Sequence, residues 1–314
     1  MWAKVGWPDA LKCRLVRLNA LYAVVAALPF CFAQAQQVSV CCGHLYSFPD
    51  FPSRYVQSRS VWVWVPEQYN PKNKHAVIYM HDGQMLFDST QTWNRREWRV
   101  DETASKLIAE RQVPPFIVVG IANAAVKRYS EYFPTKALSY LPKAHRDTGM
   151  LRMVGKPLAD DYLKFLVFEL KPFIDSAFSV WPDARHTFLL GSSMGGLISL
   201  YGVLEYPNVF GGAACLSTHW IGGFVPDTLV ISSLQHYVAD HLPPPGRIRL
   251  YFDYGTETLD RFYEPYQIAI DRIGQQAGYT SAQWLTRRFP GDEHSEVSWS
   301  RRLSIPLQFL LKTP

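Results

Sequence analysis

The chain is 314 residues long, 48% hydrophobic and 19% charged, proportions that suit a globular enzyme with a sizeable core. Its net charge is +5, but Lys4, Lys12, Arg14 and Arg17 against Asp9 place +3 of this in the first 35 residues. The +2 left over the remainder is too little for an electrostatic reader of nucleic acid, and no basic run interleaved with aromatics is present.

Residues 1–35 read as an export signal. A basic segment ends at Arg17, an apolar stretch runs from Leu18 to Phe32, and Ala33-Gln34-Ala35 supplies an A-x-A cleavage pattern. The apolar run is short for a membrane span of about 20 residues and Pro29 interrupts it. The bulky Phe30 before Cys31 argues against a lipid-anchor site. Cleavage after Ala35 would give a periplasmic or secreted protein, with residues 36–314 as a single domain and no stable membrane insertion. Of five cysteines, Cys13 and Cys31 would leave with the signal. Cys41 and Cys42 are adjacent, an arrangement that rarely bridges because the geometry is strained. No C-x-x-C pair is present, so neither a zinc site nor a thioredoxin-like site is expected. Cys215, in Gly-Gly-Ala-Ala-Cys-Leu-Ser, reads as a buried strand residue.

The rest alternates between strands and helices. Val61–Val65 is a predicted strand stopped by Pro66, and Ala76–Met80 and Phe116–Gly120 are continuous apolar runs of the kind found in central parallel strands. Between residues 160 and 178, Tyr162, Phe165, Leu166, Leu170, Phe173, Ile174 and Ala177 share one helical face, with Pro172 expected to kink the helix. A strand from Thr187 runs into Gly191, and a helix follows Gly196. Further strands are predicted near Ala213–Ser217, Ile248–Phe252 and Trp284–Phe289. Tyr263, Tyr266, Ile270, Ile273 and Ala277 mark a helix between the last two, and a final helix starts near Trp299. Helices between buried strands imply one α/β domain with a mostly parallel sheet covered on both faces.

Gly191-Ser192-Ser193-Met194-Gly195 sits between one of those strands and its helix. G-x-S-x-G in this context is a nucleophile elbow, which exposes the Ser193 hydroxyl above the sheet edge. The small flanking glycines allow strand and helix to pass closely, and the Met194 N–H points where an oxyanion would form. On an α/β-hydrolase fold an acid and then a histidine should follow, each on a loop after a later strand. His294, in Pro-Gly-Asp-Glu-His-Ser-Glu, follows the final strand. His81 precedes the serine, His186 lies at the far end of its strand, and His219 precedes any acid. Three carboxylates follow the strand near Phe252: Asp253, Glu257 and Asp260, of which Asp260 also suits a helix N-cap. His81-Asp82-Gly83-Gln84 leaves the carboxyl end of a central strand, where its backbone N–H groups can face Met194. Trp93, Trp98, Tyr132 and Trp220 would make a rim able to stack a sugar or phenolic group, although each taken singly reads as a core ring; His81, Asp82 and Trp220 are the candidate substrate contacts.

These four segments, His81-Asp-Gly-Gln, Gly191-Ser-Ser-Met-Gly-Gly, Gly255-Thr-Glu-Thr-Leu-Asp260 and Pro290-Gly-Asp-Glu-His294-Ser-Glu, resemble the putative esterase family of α/β-hydrolases. That group includes enterochelin-esterase-like proteins, feruloyl and acetyl xylan esterases, and S-formylglutathione hydrolase. The resemblance spans about residues 45 to 312. It implies Ser193 as nucleophile, His294 as base, an acid in the 257–260 loop with Asp260 at the family's position, and oxyanion donors at Met194 and Gln84. The family's substrate does not carry over, because members differ in their loops; a small-molecule or carbohydrate ester is expected, and the chemistry needs no metal or organic cofactor. The motifs do not separate a hydrolase from an acyltransferase on the same fold. A catalytically silent exported binding protein is disfavoured by the complete set of Ser, acid and His in order.

Overall fold

The computed structural model describes residues 38–147 and 155–312, so the expected export signal lies outside the described residues. Within them the strands are β1 (His44–Phe51), β2 (Arg59–Val65), β3 (Ala76–His81), β4 (Phe116–Ile121), β5 (Thr187–Ser192), β6 (Gly212–Leu216), β7 (Arg249–Gly255) and β8 (Trp284–Phe289). They form one sheet in the order β1-β2-β4-β3-β5-β6-β7-β8. β1 and β2 pair antiparallel, as do β2 and β4, and every other pairing is parallel. This is the mostly parallel α/β-hydrolase arrangement that the sequence predicts.

The helices are α1 (Val100–Ala109), α2 (Arg128–Tyr132), α3 (Ala159–Phe165), α4 (Lys171–Ala177), α5 (Met194–Glu205), α6 (Thr228–His241), α7 (Glu264–Gln276), α8 (Glu296–Arg302) and α9 (Ser304–Leu311). Alternate strand residues feed two cores. Val77 and Tyr79 of β3 join Leu189, Phe252, Tyr162, Leu163 and Ile198 on one face. Ile78 and Met80 join Leu190, Tyr251, Leu107, Leu303 and Leu307 on the other. With both faces covered, β3, β4 and β5 are buried at every residue, which is why they read as unbroken apolar runs.

Several elements lie outside those predicted. β1 is an edge strand with a mixed burial pattern and Pro49 within it, so it lacks the alternation that would mark it. Helix α1 begins after Arg99, a non-glycine residue at φ 55°. Helix α6 is announced by Asp227, whose carboxylate accepts the N–H groups of Leu229 and Val230 at 3.0 and 3.2 Å. The kink expected at Pro172 takes a particular form. Leu166–Leu170 winds as a π-helical turn between α3 and α4, and Pro172 then falls in the first turn of α4, where its missing N–H is not needed.

Loops leaving the carboxyl ends of β3, β5, β6, β7 and β8 converge on one edge of the sheet, the edge at which open α/β sheets place their sites.

Candidate active site

Ser193 occupies the turn between β5 and α5 with φ 58° and ψ −121°, a combination that costs a non-glycine residue energy and persists only where the surroundings fix it. Its N–H donates to Leu216 O at 2.9 Å, and its carbonyl accepts from His219 N at 3.2 Å. Strand and helix meet so tightly that a Cβ at Gly191 would lie 2.7 Å from the backbone of Gly195. Glycine is therefore obligatory at 191, and the serine is left 9% exposed at the edge.

His294 arrives on the loop after β8. Its backbone N–H donates to Thr258 Oγ1 at 2.9 Å, while Asp292 O accepts the N–H groups of Thr256 and Glu257, each at 3.0 Å. The loops after β7 and β8 are thus laced together. The His294 Nδ1 lies 2.5 Å from Asp260 Oδ1. The other carboxylate oxygen of Asp260 accepts Ser217 Oγ–H and Gly255 N–H, both at 2.6 Å. Burial alone would raise the Asp260 carboxyl. The hydrogen bond from His294 and its charge, with the donors Ser217 and Gly255, outweigh burial and hold it below the usual carboxylate range.

Of the three carboxylates open in the sequence, Asp260 is the one that meets His294. Its side chain caps no helix. Glu257 is exposed, its carboxylate reaching only Thr256 Oγ1 at 3.4 Å. Asp253 lies inside β7 and pairs with Arg302 Nη2 at 2.9 Å. Burial pushes the Asp253 carboxyl up to about 6, with the Arg302 charge pulling the other way.

A supporting layer stands behind Asp260. Ser217, just past β6, donates to Asp260 while accepting Trp299 Nε1–H at 2.9 Å and Arg302 Nη2–H at 2.8 Å. Arg302 also reaches Asp292 through Nη1 at 3.1 Å. The Trp299 ring stands edge-on to His294, centroids 5.0 Å apart. None of these was singled out from sequence as a site residue. The available signal was the three-residue spacing of Trp299 and Arg302, which places both on one face of a helix that starts just after His294.

His219 belongs to a second group. Its Nδ1 is 3.0 Å from Tyr263 Oη and its Nε2 is 2.9 Å from Tyr129 Oη. Burial, with the charges of His294 and Arg128, pushes His219 down to about 3. It is a neutral ring that donates to one tyrosine and accepts from the other.

The His81–Gln84 segment closes the opposite wall. Asp82 takes φ 57°, and a Cβ at Gly83 would lie 2.4 Å from Ile121 N, so only glycine lets this turn press onto β4. Arg128 grips both oxygens of Asp82 at 2.7 Å, and Asn123 Nδ2 donates to the same carboxylate at 2.7 Å. Gln84 Oε1 accepts Asn123 N–H at 3.2 Å. Ser193, His294, Asp82, Gln84, Trp98 and Arg128 are among the residues that line one cavity of about 240 Å³. A larger hollow of about 860 Å³ lies near Gln68, Val113 and Lys312 at the start of β4 and holds no nucleophile with a base.

The expected substrate contacts divide. Asp82, Trp93 and Trp98 line the cavity, with Trp93 84% exposed. His81 does not line it. It is buried, with Nδ1 at 2.8 Å from Tyr162 Oη, and burial pushes it down to about 3. Tyr132 is packed against His81 and Tyr162. Trp220 is 1% exposed, donating to Gln267 Oε1 at 3.0 Å and packing on Phe252. All three rings are buried: Trp220 and Tyr132 bond their polar atoms inward, whereas His81 bonds through Nδ1 and leaves a buried Nε2 without a partner.

The family described as "Putative esterase" matches residues 53–295, a span that holds the elbow, the acid loop and His294. The chain belongs to this family. It is 29% identical over 142 residues to carboxylesterase SOBER1 of Arabidopsis thaliana, covering 45% of this chain and 56% of that protein. It is 25% identical over 161 residues to the uncharacterized protein YjcH of Bacillus subtilis (strain 168), covering 51% of this chain and 56% of that protein. The chain therefore spans little more than half the length of these curated relatives. A solved ferulic acid esterase is similar with TM-score 0.61 at 18% identity, over 85% of this chain and 98% of that one. An IroE-like serine hydrolase from Shewanella oneidensis is similar with TM-score 0.62 at 20% identity, over 85% and 79%. At such identities these two likenesses speak for the fold.

Proposed function

We propose that the chain is a serine carboxylic-ester hydrolase that works through an acyl-enzyme on Ser193. The observation that carries this reading is the meeting, in one cavity, of a strained elbow serine with a histidine whose Nδ1 lies 2.5 Å from a buried aspartate. His294 donates Nδ1–H to Asp260, which fixes the tautomer and leaves Nε2 free to accept. Nε2 takes the Ser193 proton as Oγ attacks the ester carbonyl. The carbonyl oxygen becomes an anion. The N–H groups of Met194, first residue of α5, and of Gln84, inside the short 3₁₀ turn Gly83–Met85, are oxyanion donors. Collapse breaks the C–O bond, the leaving alkoxide takes the proton from His294, and water repeats the sequence to free the acid.

The cavity of about 240 Å³ is smaller than one that encloses a whole drug-sized ligand. It suits one end of the ester, with the remainder passing the exposed Trp93. The names of the similar ferulic acid esterase and of a similar enterobactin esterase from Shigella flexneri support phenolic or siderophore esters as the class to test. The decisive experiment is hydrolysis of acetyl, feruloyl and catecholate esters by parent and Ser193→Ala. We expect Ser193→Ala to lose on the order of 10⁶ in kcat with its circular dichroism unchanged. Near-parental turnover by that variant would remove the nucleophile assignment.

A further inference from the structure

The segment before β1 crosses to the start of α1 and builds a second cluster that shares no residue with the Ser193 cavity. Asp101 and Glu102 are the second and third residues of α1. Asp101 is 1% exposed. Its Oδ2 accepts the Cys41 N–H at 2.7 Å, while its Oδ1 is buried with no hydrogen-bond partner. Glu102 repeats the pattern. Its Oε1 accepts Arg99 Nε–H at 3.0 Å, and its Oε2 is buried and unpartnered. One ligand atom each from Cys41, Asp101 and Glu102 lies within 4.8 Å of the other two. Glu97 adds a third buried, unpartnered carboxylate oxygen nearby, and Cys42 Sγ is 2.8 Å from Cys41 Sγ.

Buried anions without a counter-charge are costly, and proteins normally pair them or use them to hold metal ions. Here Arg99 reaches Glu102 from one side and leaves the inward oxygens open.

We infer that Cys41, Asp101 and Glu102 form a binding site for a divalent transition-metal cation, Zn²⁺ being the best match. A thiolate selects against Mg²⁺ and Ca²⁺, which require oxygen ligands, whereas Zn²⁺ accepts Cys sulfur and carboxylate oxygen in one shell. The Cys42 thiol or water is available for a fourth position. Binding displaces the Cys41 proton to solvent. The bound ion ties the residues before β1 to the first turn of α1. The ligands come from points 60 residues apart in the chain, so the absence of a C-x-x-C pair says nothing about this site.

The test uses the full chain, reduced and stripped with a chelator, then titrated with Zn²⁺ alone against a colorimetric competitor. A parallel Cd²⁺ titration follows the ultraviolet sulfur-to-metal charge-transfer band. About one ion per chain is expected, with that band present. Cys41→Ser and Asp101→Asn should each weaken binding by about tenfold or more, and Zn²⁺ should raise the thermal midpoint of the parent but not of Cys41→Ser. Glu102→Gln is the alternative variant if Asp101→Asn does not fold, and metal-free ester hydrolysis checks the fold of each. No binding by the reduced parent, or binding unchanged in Cys41→Ser and Asp101→Asn, would overturn the site. A parent that binds nothing while metal-free Asp101→Asn melts higher would assign the cluster to a proton shared between Asp101 and Glu102.

Discussion

Asp260→Asn tests the proposed acid most sharply, because the outcome can be worked from its hydrogen bonds. Ser217 Oγ–H and Gly255 N–H converge on one carboxylate oxygen, both at 2.6 Å. An asparagine at 260 must present its single oxygen there, since its NH₂ on that side would face two donors. The NH₂ then points at His294 Nδ1, which sits 2.5 Å from the other oxygen. Nδ1 has to accept, the ring proton moves to Nε2, and Nε2 can no longer take a proton from Ser193. The expected loss is about 10⁴ in kcat, or about 5 kcal/mol of transition-state stabilisation. Stability should fall far less, by about 1–2 kcal/mol, as a charged hydrogen bond is exchanged for a neutral one. The assay is kcat on an activated aryl ester near neutral pH, beside thermal melting, with Glu257→Gln as companion. Exposed Glu257 does not touch His294, so its variant should keep turnover to within about twofold. If Glu257→Gln is the variant that loses turnover while Asp260→Asn only melts earlier, the reasoning fails and Glu257 is the acid.

Arg302→Met should destabilise the fold by about 3–5 kcal/mol, because it leaves the buried Asp253 carboxylate without its partner; an unchanged melting midpoint would show that Asp253 is compensated elsewhere. His219 is held neutral at about 3 in the fold but takes up a proton near pH 6.5 when unfolded. Its contribution is thus present above about pH 6.5 and lost as pH falls toward about 3. Denaturant midpoints near pH 7 and near pH 4 should show a smaller acid loss in His219→Gln than in the parent, and equal losses would contradict the buried neutral ring.

What the sequence made legible is what depends on contiguous residues. The elbow reads from five adjacent letters because its sterics are local: Gly191 must be glycine to pass Gly195. β3, β4 and β5 read because both faces are covered and each strand is apolar throughout. His294 read from its place after the last predicted strand, and β8 has the predicted bounds. β1 did not read, since an edge strand buries only part of one side. The four aromatic rings, each read singly as core, divide in the fold. Trp93 and Trp98 line the cavity, whereas Tyr132 and Trp220 are buried rings, and residue type alone does not tell a stacking surface from a core. The choice among Asp253, Glu257 and Asp260 rests on contacts made across the sheet edge, between residues far apart in sequence.

Those contacts also make the placement of Asp260 a joint property of three loops. Ser217 follows β6, Asp260 follows β7, and Trp299 and Arg302 sit on the helix after the β8 loop. Ser217 Oγ is the hinge of the arrangement, since it donates to Asp260 and accepts from both Trp299 and Arg302. Removing any one member leaves a buried donor or acceptor without its partner, which costs more than the bond itself contributed. Once that cost has been incurred, a second removal in the same group takes away less. The effects of changing Ser217 and Arg302 should therefore fall short of adding, as expected for residues in one hydrogen-bonded network. The helix that begins directly after His294 thus holds Asp260 as well as His294. His294 and Asp260 keep their register because the same two turns of α8 fix both.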